Sequence, residues 1–429
     1  MVGAVARLRR ANVTNCHNAS HSVSLIERIA VTVCQTVRGV GAQETLPSSA
    51  PPDFRVRRSW WDGLLRTLVA GLVVVAGLAL PMVAPQPAQA VPPGTYAYVT
   101  NFNANTVSVI NAATNTVAVT VPVGAAPWEV AVSPNGTRAY VTNRADDTVS
   151  VINTATDTVV ATVPVGLEPL GVTVSPNGAR AYVTNFSANT VSVINTNTNT
   201  VVATIPVGAA PIGVAVSPNG TRVYVTNSDA NTVSVIKTAT NTVVATIPVG
   251  AYPFGVAVSP NGTRAYITNF NADTVSVIKT ITNTVVATIP VGDAPQGVAV
   301  SPNGTRAYVI NADADTVSVI KTKTNTVVAT IPVGDAPREV AVSPNGTRAY
   351  ITNANADTVS VINTATNTVV ATIPVGDLPF GVAIGVVPCA GHGKPGHGKP
   401  DHGKPGHGKS GHDRPTTATV LAPGNCTRA

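Results

Sequence analysis

The sequence predicts an all-β protein built as a seven-bladed β-propeller, and three observations predict it. Tyr98, Tyr140, Tyr182, Tyr224, Tyr266, Tyr308 and Tyr350 recur every 42 residues without slippage. Each unit breaks into four short runs of β-branched residues separated by turn formers. The two ends of the repeated region complement each other, whereas a solenoid would end in polar capping repeats.

One unit, residues 213–250, reads GVAVSPNG-TRVYVTNSDA-NTVSVIKTAT-NTVVATIPVG. Each piece is one strand ending in a turn, here termed a, b, c and d. Asn-Gly in the a–b turn supplies the positive φ angles of a tight hairpin. Runs such as Thr232-Val-Ser-Val-Ile236 alternate only partly between apolar and polar, as expected where neighbouring sheets cover both faces. The first unit lacks strand a and enters at Gly94-Thr95-Tyr96. The last fragment, Phe380–Ile384, is a strand a with no b after it, and Gly385-Val386-Val387-Pro388 replaces its hairpin turn. A composite blade follows, with the C-terminal strand innermost and three N-terminal strands outside it.

The tetrapeptide Tyr-Val-Thr-Asn stands unchanged at 98–101, 140–143, 182–185 and 224–227. Ile variants occupy 266–269 and 350–353, and Tyr308-Val-Ile-Asn311 departs at its third position. This pattern resembles the YVTN β-propeller repeat family over roughly residues 94–385. The resemblance implies a propeller of the surface-layer or lactonase-like type, and is compatible with binding, hydrolytic and haem-carrying roles.

Outside the repeat, Arg57-Arg58 precedes an uncharged stretch from Thr67 to Ala84, then Pro85-Gln-Pro-Ala88-Gln89-Ala90. Basic flank, apolar run and small-x-small site form a secretory signal over 56–90. Cleavage is expected after Ala90, and the alternative is an uncleaved membrane anchor, the only membrane contact expected. Residues 1–55, with Cys16 and Cys34, are either a mis-assigned start or a genuine extension. The expected organisation is therefore extension 1–55, signal 56–90, propeller 91–388 and tail 389–429. A secreted, extracellular or wall-associated location follows.

The formal charge of +7 divides unevenly: residues 91–388 hold twelve basic and fourteen acidic groups. A mildly acidic propeller offers no argument for specific nucleic-acid binding. Residues 91–388 contain no His, Cys or Met, which removes the usual proton shuttle, thiolate nucleophile and soft metal ligands. Asp147, Asp273, Asp315 and Asp357 share a b–c turn position with Asn105, Asn189 and Asn231, so turn capping is expected of them. No resident cofactor is expected, and no catalytic residue stands out.

The repeats differ from one another on one face. The b–c and d–a loops carry Phe102, Trp128, Arg144, Phe186, Tyr252, Phe254, Phe270, Arg338 and Phe380, in a chain only 4% aromatic. Aromatics with Arg are the composition of binding hot spots. The competing reading is that they cover blade tips and pack against neighbouring loops.

In the tail, His392, His397, His402, His407 and His412 alternate with lysines, bracketed by Cys389 and Cys426. Gly, Pro and charge without apolar groups predict disorder. The histidines could gather Zn²⁺, Ni²⁺ or Cu²⁺ loosely, or the polycation could adhere to wall polymers, or the segment could merely solvate. In an oxidising exterior Cys389 and Cys426 are expected to pair. The leading expectation is a non-catalytic scaffold presenting its variable face to an extracellular ligand, wall polymer or protein. A lactonase-like hydrolase is the alternative, and a metal-binding protein acting through the tail is third.

Overall fold

A computed structural model describes residues 91–388, which form seven four-stranded antiparallel sheets and no helix. The twenty-eight strands run from β1 (Gly94–Asn101) to β28 (Pro379–Val387). Blade 1 has the order β28-β1-β2-β3, with β2 at Thr106–Asn111 and β3 at Thr116–Pro122. The C-terminal strand therefore closes the ring against three N-terminal ones. Strand β28 spans nine residues where every other innermost strand has six. Gly94↔Val387 and Thr95↔Val386 extend its pairing with β1 because no hairpin interrupts them. Blade 2 is β4 (Pro127–Val132), β5 (Arg138–Asn143), β6 (Thr148–Asn153) and β7 (Thr158–Pro164), and the later blades repeat it.

Packing explains the composition. Strands b and c are buried over almost their whole length, as in β5 and β6. Outer strands such as β7 alternate between exposed and half-buried, leaving residues such as Val160 at the rim. Apolar clusters lie between blades rather than within them. Tyr308, Ile310, Val317 and Val319 of blade 6 pack with Val340, Ala349, Ile351 and Ile362 of blade 7. A Tyr in each blade fills this seam at 1% exposure or less, so the 42-residue period is the period of interblade packing.

The Thr and Asn of the tetrapeptide have separate work. Thr142 Oγ1 accepts the Glu129 N–H of its own blade at 3.0 Å and donates to the Leu170 carbonyl of the next at 2.7 Å. The same stitch runs from Thr100 to Trp128, Thr184 to Ile212, Thr226 to Phe254, Thr268 to Gln296 and Thr352 to Phe380. Ile310 breaks it in blade 6, so the Arg338 carbonyl lacks its partner hydroxyl. Asn101 Nδ2 donates to Thr106 Oγ1 and Ser108 Oγ, tying b to c.

The Asn and Asp of the b–c turn do more than cap it. All seven adopt positive φ, for example 54° at both Asn105 and Asp147. Their Oδ1 atoms reach the d–a loop 21 residues later, accepting the N–H of Ala126 from Asn105 and of Glu168 from Asp147. The expectation of local capping is corrected accordingly: the side chain clamps two loops of one face together.

Candidate functional site

All seven innermost strands begin on the face built from b–c and d–a loops, and their first residues line the mouth of the central channel. The lining includes Trp128 and Glu129 from β4, Phe254 from β16 (Pro253–Val258) and Gln296 from β20 (Pro295–Val300). Arg338 and Glu339 come from β24 (Pro337–Val342), and Phe380 and Gly381 from β28. The space they enclose is only about 40 Å³, room for water and not for a substrate.

Five of the residues singled out from the sequence form one stack across the seam where the chain ends meet. Trp128 and Phe380 have centroids 4.3 Å apart, and Phe102 lies 5.2 Å from Phe380 and 5.9 Å from Trp128. Arg144 covers Trp128 and Arg338 covers Phe380, each with its guanidinium carbon 5.4 Å from the ring centroid. Tyr252, Phe254 and Phe270 make a second group in blade 5, with centroids 5.8 and 6.3 Å from Phe270. Phe186 has a ring contact with neither group.

The two arginines differ in their surroundings. Arg144 donates to Glu168 Oε1 at 2.9 Å, with side chains 34% and 36% exposed. Ser187 and Arg144 hydrogen-bond the Glu168 carboxylate and hold its pKa below the usual range, Ser187 contributing most. Arg338 is half-buried, and its buried Nε has no hydrogen-bond partner. Burial lowers its pKa, opposed by the charges of Asp313 and Asp335.

Beneath the aromatics lie two residues that the sequence reading did not select, Glu129 and Glu339. Each folds back so that Oε1 accepts the next residue's N–H, Val130 or Val340, at 3.0 Å. Burial raises both pKa values, and for Glu129 the charge of Glu339 raises it further. The other five blades have Gly at this position, and the glycines are required. A Cβ on Gly381 would sit 2.8 Å from Glu129 Cα, and one on Gly297 would sit 2.8 Å from Glu339 Cα, backbone atoms that cannot move aside. Each glutamate thus needs a glycine in the blade before it, so two carboxylates can approach no closer than alternate blades. The signal was legible: Trp128-Glu129-Val130 and Arg338-Glu339-Val340 alone break the x-Gly-Val pattern.

The tail histidines, Cys389, Cys426, the signal segment and residues 1–55 lie outside the described residues. Among the described residues no three His, Cys, Asp or Glu side chains cluster so as to hold a metal ion.

Comparison with known proteins places the repeats among propellers. A family described as YNCE-like β-propeller matches residues 177–264, and one described as Lactonase, 7-bladed β-propeller matches residues 256–375. Together with the seven four-stranded blades, these matches bear out the resemblance to YVTN and lactonase-like propellers. The chain matches no curated protein. Among solved structures, Kuenenia stuttgartiensis hydrazine synthase is 24% identical with a TM-score of 0.60, covering 68% of this chain and 99% of its own. A functionally unknown protein from Desulfotomaculum acetoxidans is 20% identical with a TM-score of 0.62 and the same coverages. A candidate 6-phosphogluconolactonase from Bacteroides uniformis is 19% identical with a TM-score of 0.59, again over 68% and 99%. At these identities the likeness is one of fold.

Proposed function

We propose that this is a secreted or surface-associated binding protein whose ligand site is the channel-mouth face. One observation carries the reading. A ring otherwise uniform in its turns gathers Trp128, Phe102 and Phe380, two arginines and two carboxylates at one sector of one mouth. An asymmetric partner needs such a break in symmetry, and hairpin closure does not.

The ligand class follows from space and chemistry. A cavity of about 40 Å³ is far below the roughly 300 Å³ of a small-molecule pocket, so a ligand lies across the mouth. Arg144 covers the outer side of Trp128 and is held by an exposed ion pair worth at most about 1 kcal/mol. A sugar ring can displace it and rest on the indole, with the freed guanidinium taking an anionic substituent. An oligosaccharide bearing carboxylates fits these groups. Titrating uronic-acid and neutral oligosaccharides against Trp128 fluorescence tests the reading; no response from any of them would defeat it.

The carboxylate pair and the partial lactonase match favour a second reading, a lactonase-like hydrolase. One glutamate would hold a proton while the other activates water. The narrow mouth weighs against it, since the lactone would have to enter. Turnover of a lactone panel that disappears in Glu129→Gln would establish it. A metal-binding role through the tail histidines rests on their spacing alone.

A further inference from the structure

The nearly neutral total hides a polarised disc. Every b strand after the first begins with Arg beside the a–b turn, from Arg138 to Arg348 at 42-residue intervals. Lys237, Lys279 and Lys321 end their c strands directly opposite Arg222, Arg264 and Arg306, and Lys323 sits in the following turn. These ten cations share the a–b and c–d face with one carboxylate, Asp157. The opposite face and mouth hold the other thirteen carboxylates and only Arg144 and Arg338. The two sides therefore carry formal charges of +9 and −11.

The basic charge is uncompensated. Among the described residues, no carboxylate pairs with any of the ten cations. Arg264 Nη1 donates to Thr322 O at 3.3 Å and Asn325 Oδ1 at 2.9 Å, both in the next blade. Arg306 repeats this with Thr364 O and Asn367 Oδ1. One guanidinium edge is fixed by neutral oxygens and the positive charge stays available. Asp157 is 1% exposed and accepts the Val91 N–H, so it adds little negative potential.

We infer that this face docks on a flexible linear polyanion of repeating phosphodiester groups, such as an envelope polymer. Forked guanidiniums and exposed lysines suit phosphate oxygens. The cations form a ring one blade apart, which a flexible chain can follow. A DNA duplex, stiff over about 150 base pairs, touches such a ring along a chord only. The face has only two well-separated exposed large apolar residues, Ile281 at 82% and Val386 at 44%, so it lacks the continuous apolar surface with which proteins enter lipid. Docked this way, the protein turns its aromatic mouth outward.

The test uses the full chain with poly(glycerol phosphate), duplex DNA at matched phosphate concentration, and vesicles of anionic lipid. Poly(glycerol phosphate) should bind best, with affinity falling steeply in salt as counterion release requires. Lys237→Gln with Lys279→Gln and Lys321→Gln should weaken it at least tenfold and flatten the salt dependence, with the melting temperature kept. Removing residues 390–414 should leave a binding component that this triple variant still abolishes, and Trp128→Ala should have no effect. Equal or tighter binding to DNA or vesicles overturns the inference. So does binding that vanishes with residues 390–414 and ignores the lysines.

Discussion

Glu129 and Glu339 stand on alternate inner strands, flanking the strand that closes the ring, and the charge of Glu339 raises the proton affinity of Glu129. Both carboxyls bind protons more tightly folded than unfolded. Their stabilising contribution is therefore complete below the ordinary value of 4.5 and is lost as pH rises through the raised folded values. Glu129→Gln should make the protein more stable at neutral pH and flatten this fall. Glu339→Gln, in turn, should lower the pKa of Glu129, read from its side-chain carbon chemical shift. A variant less stable at neutral pH would mean that the ionised pair is a structural necessity.

Asp157 behaves in the same sense on the other face. Burial raises its carboxyl to about 6 from 3.8, against the Val91 N–H that favours the anion. Its contribution is complete below 3.8 and lost as pH rises through about 6. Asp157→Asn, which keeps an acceptor for Val91, should raise the melting temperature at pH 7.5 and leave it unchanged at pH 3.5. A fall at pH 7.5 would show the charge to be stabilising.

The threonine stitches set a third expectation. Thr226→Val removes an acceptor from the Gly213 N–H and a donor from the Phe254 carbonyl. With the Thr226 side chain buried and its partners half-buried, a loss of about 1–3 kcal/mol is expected in denaturant unfolding. The natural break at Ile310 shows that one missing stitch is tolerated, so the variant should still fold. Unchanged stability would leave the stitch without energetic weight.

Ring closure sets a fourth. Truncation before Pro379 strips the inner strand from blade 1 and exposes the edge of β1. It should lower the melting temperature of the whole ring in one cooperative transition and promote self-association, measured by calorimetry and ultracentrifugation. A separate early transition confined to blade 1 would show that the blades fold independently.

The fold was legible because each repeated residue has one role repeated around the ring. Tyr98 and its six counterparts fill the seams, and the Asn-Gly turns close the a–b hairpins. The missing strand at one end and the surplus strand at the other announced their pairing. The site was only partly legible. The variable positions pointed to Trp128, Arg144 and Phe380, whose mutual contacts the structure supplies. Glu129 and Glu339 escaped notice because they follow the variable position, and their meaning depends on channel geometry. Facial charge was hidden for another reason: Arg138 and Asp147 lie nine residues apart in the chain but on opposite sides of the disc.

The central claim is that the mouth around Trp128 binds a ligand, and the competing account is that its aromatics merely seal the closing seam. Because the Arg338 Nε is buried within the seam, its truncation would confuse the two, so Trp128→Ala with Arg144→Ala is the better pair. The background is the full chain carrying Trp60→Phe and Trp61→Phe, which leaves Trp128 as its one indole. Uronic-acid oligosaccharides should shift Trp128 emission saturably. In calorimetric titration the double variant should bind them at least tenfold more weakly, about 1.4 kcal/mol, with the melting temperature nearly unchanged. If emission does not respond, or the double variant unfolds the ring while retaining the parent's affinity, the aromatics are packing and the binding account is wrong.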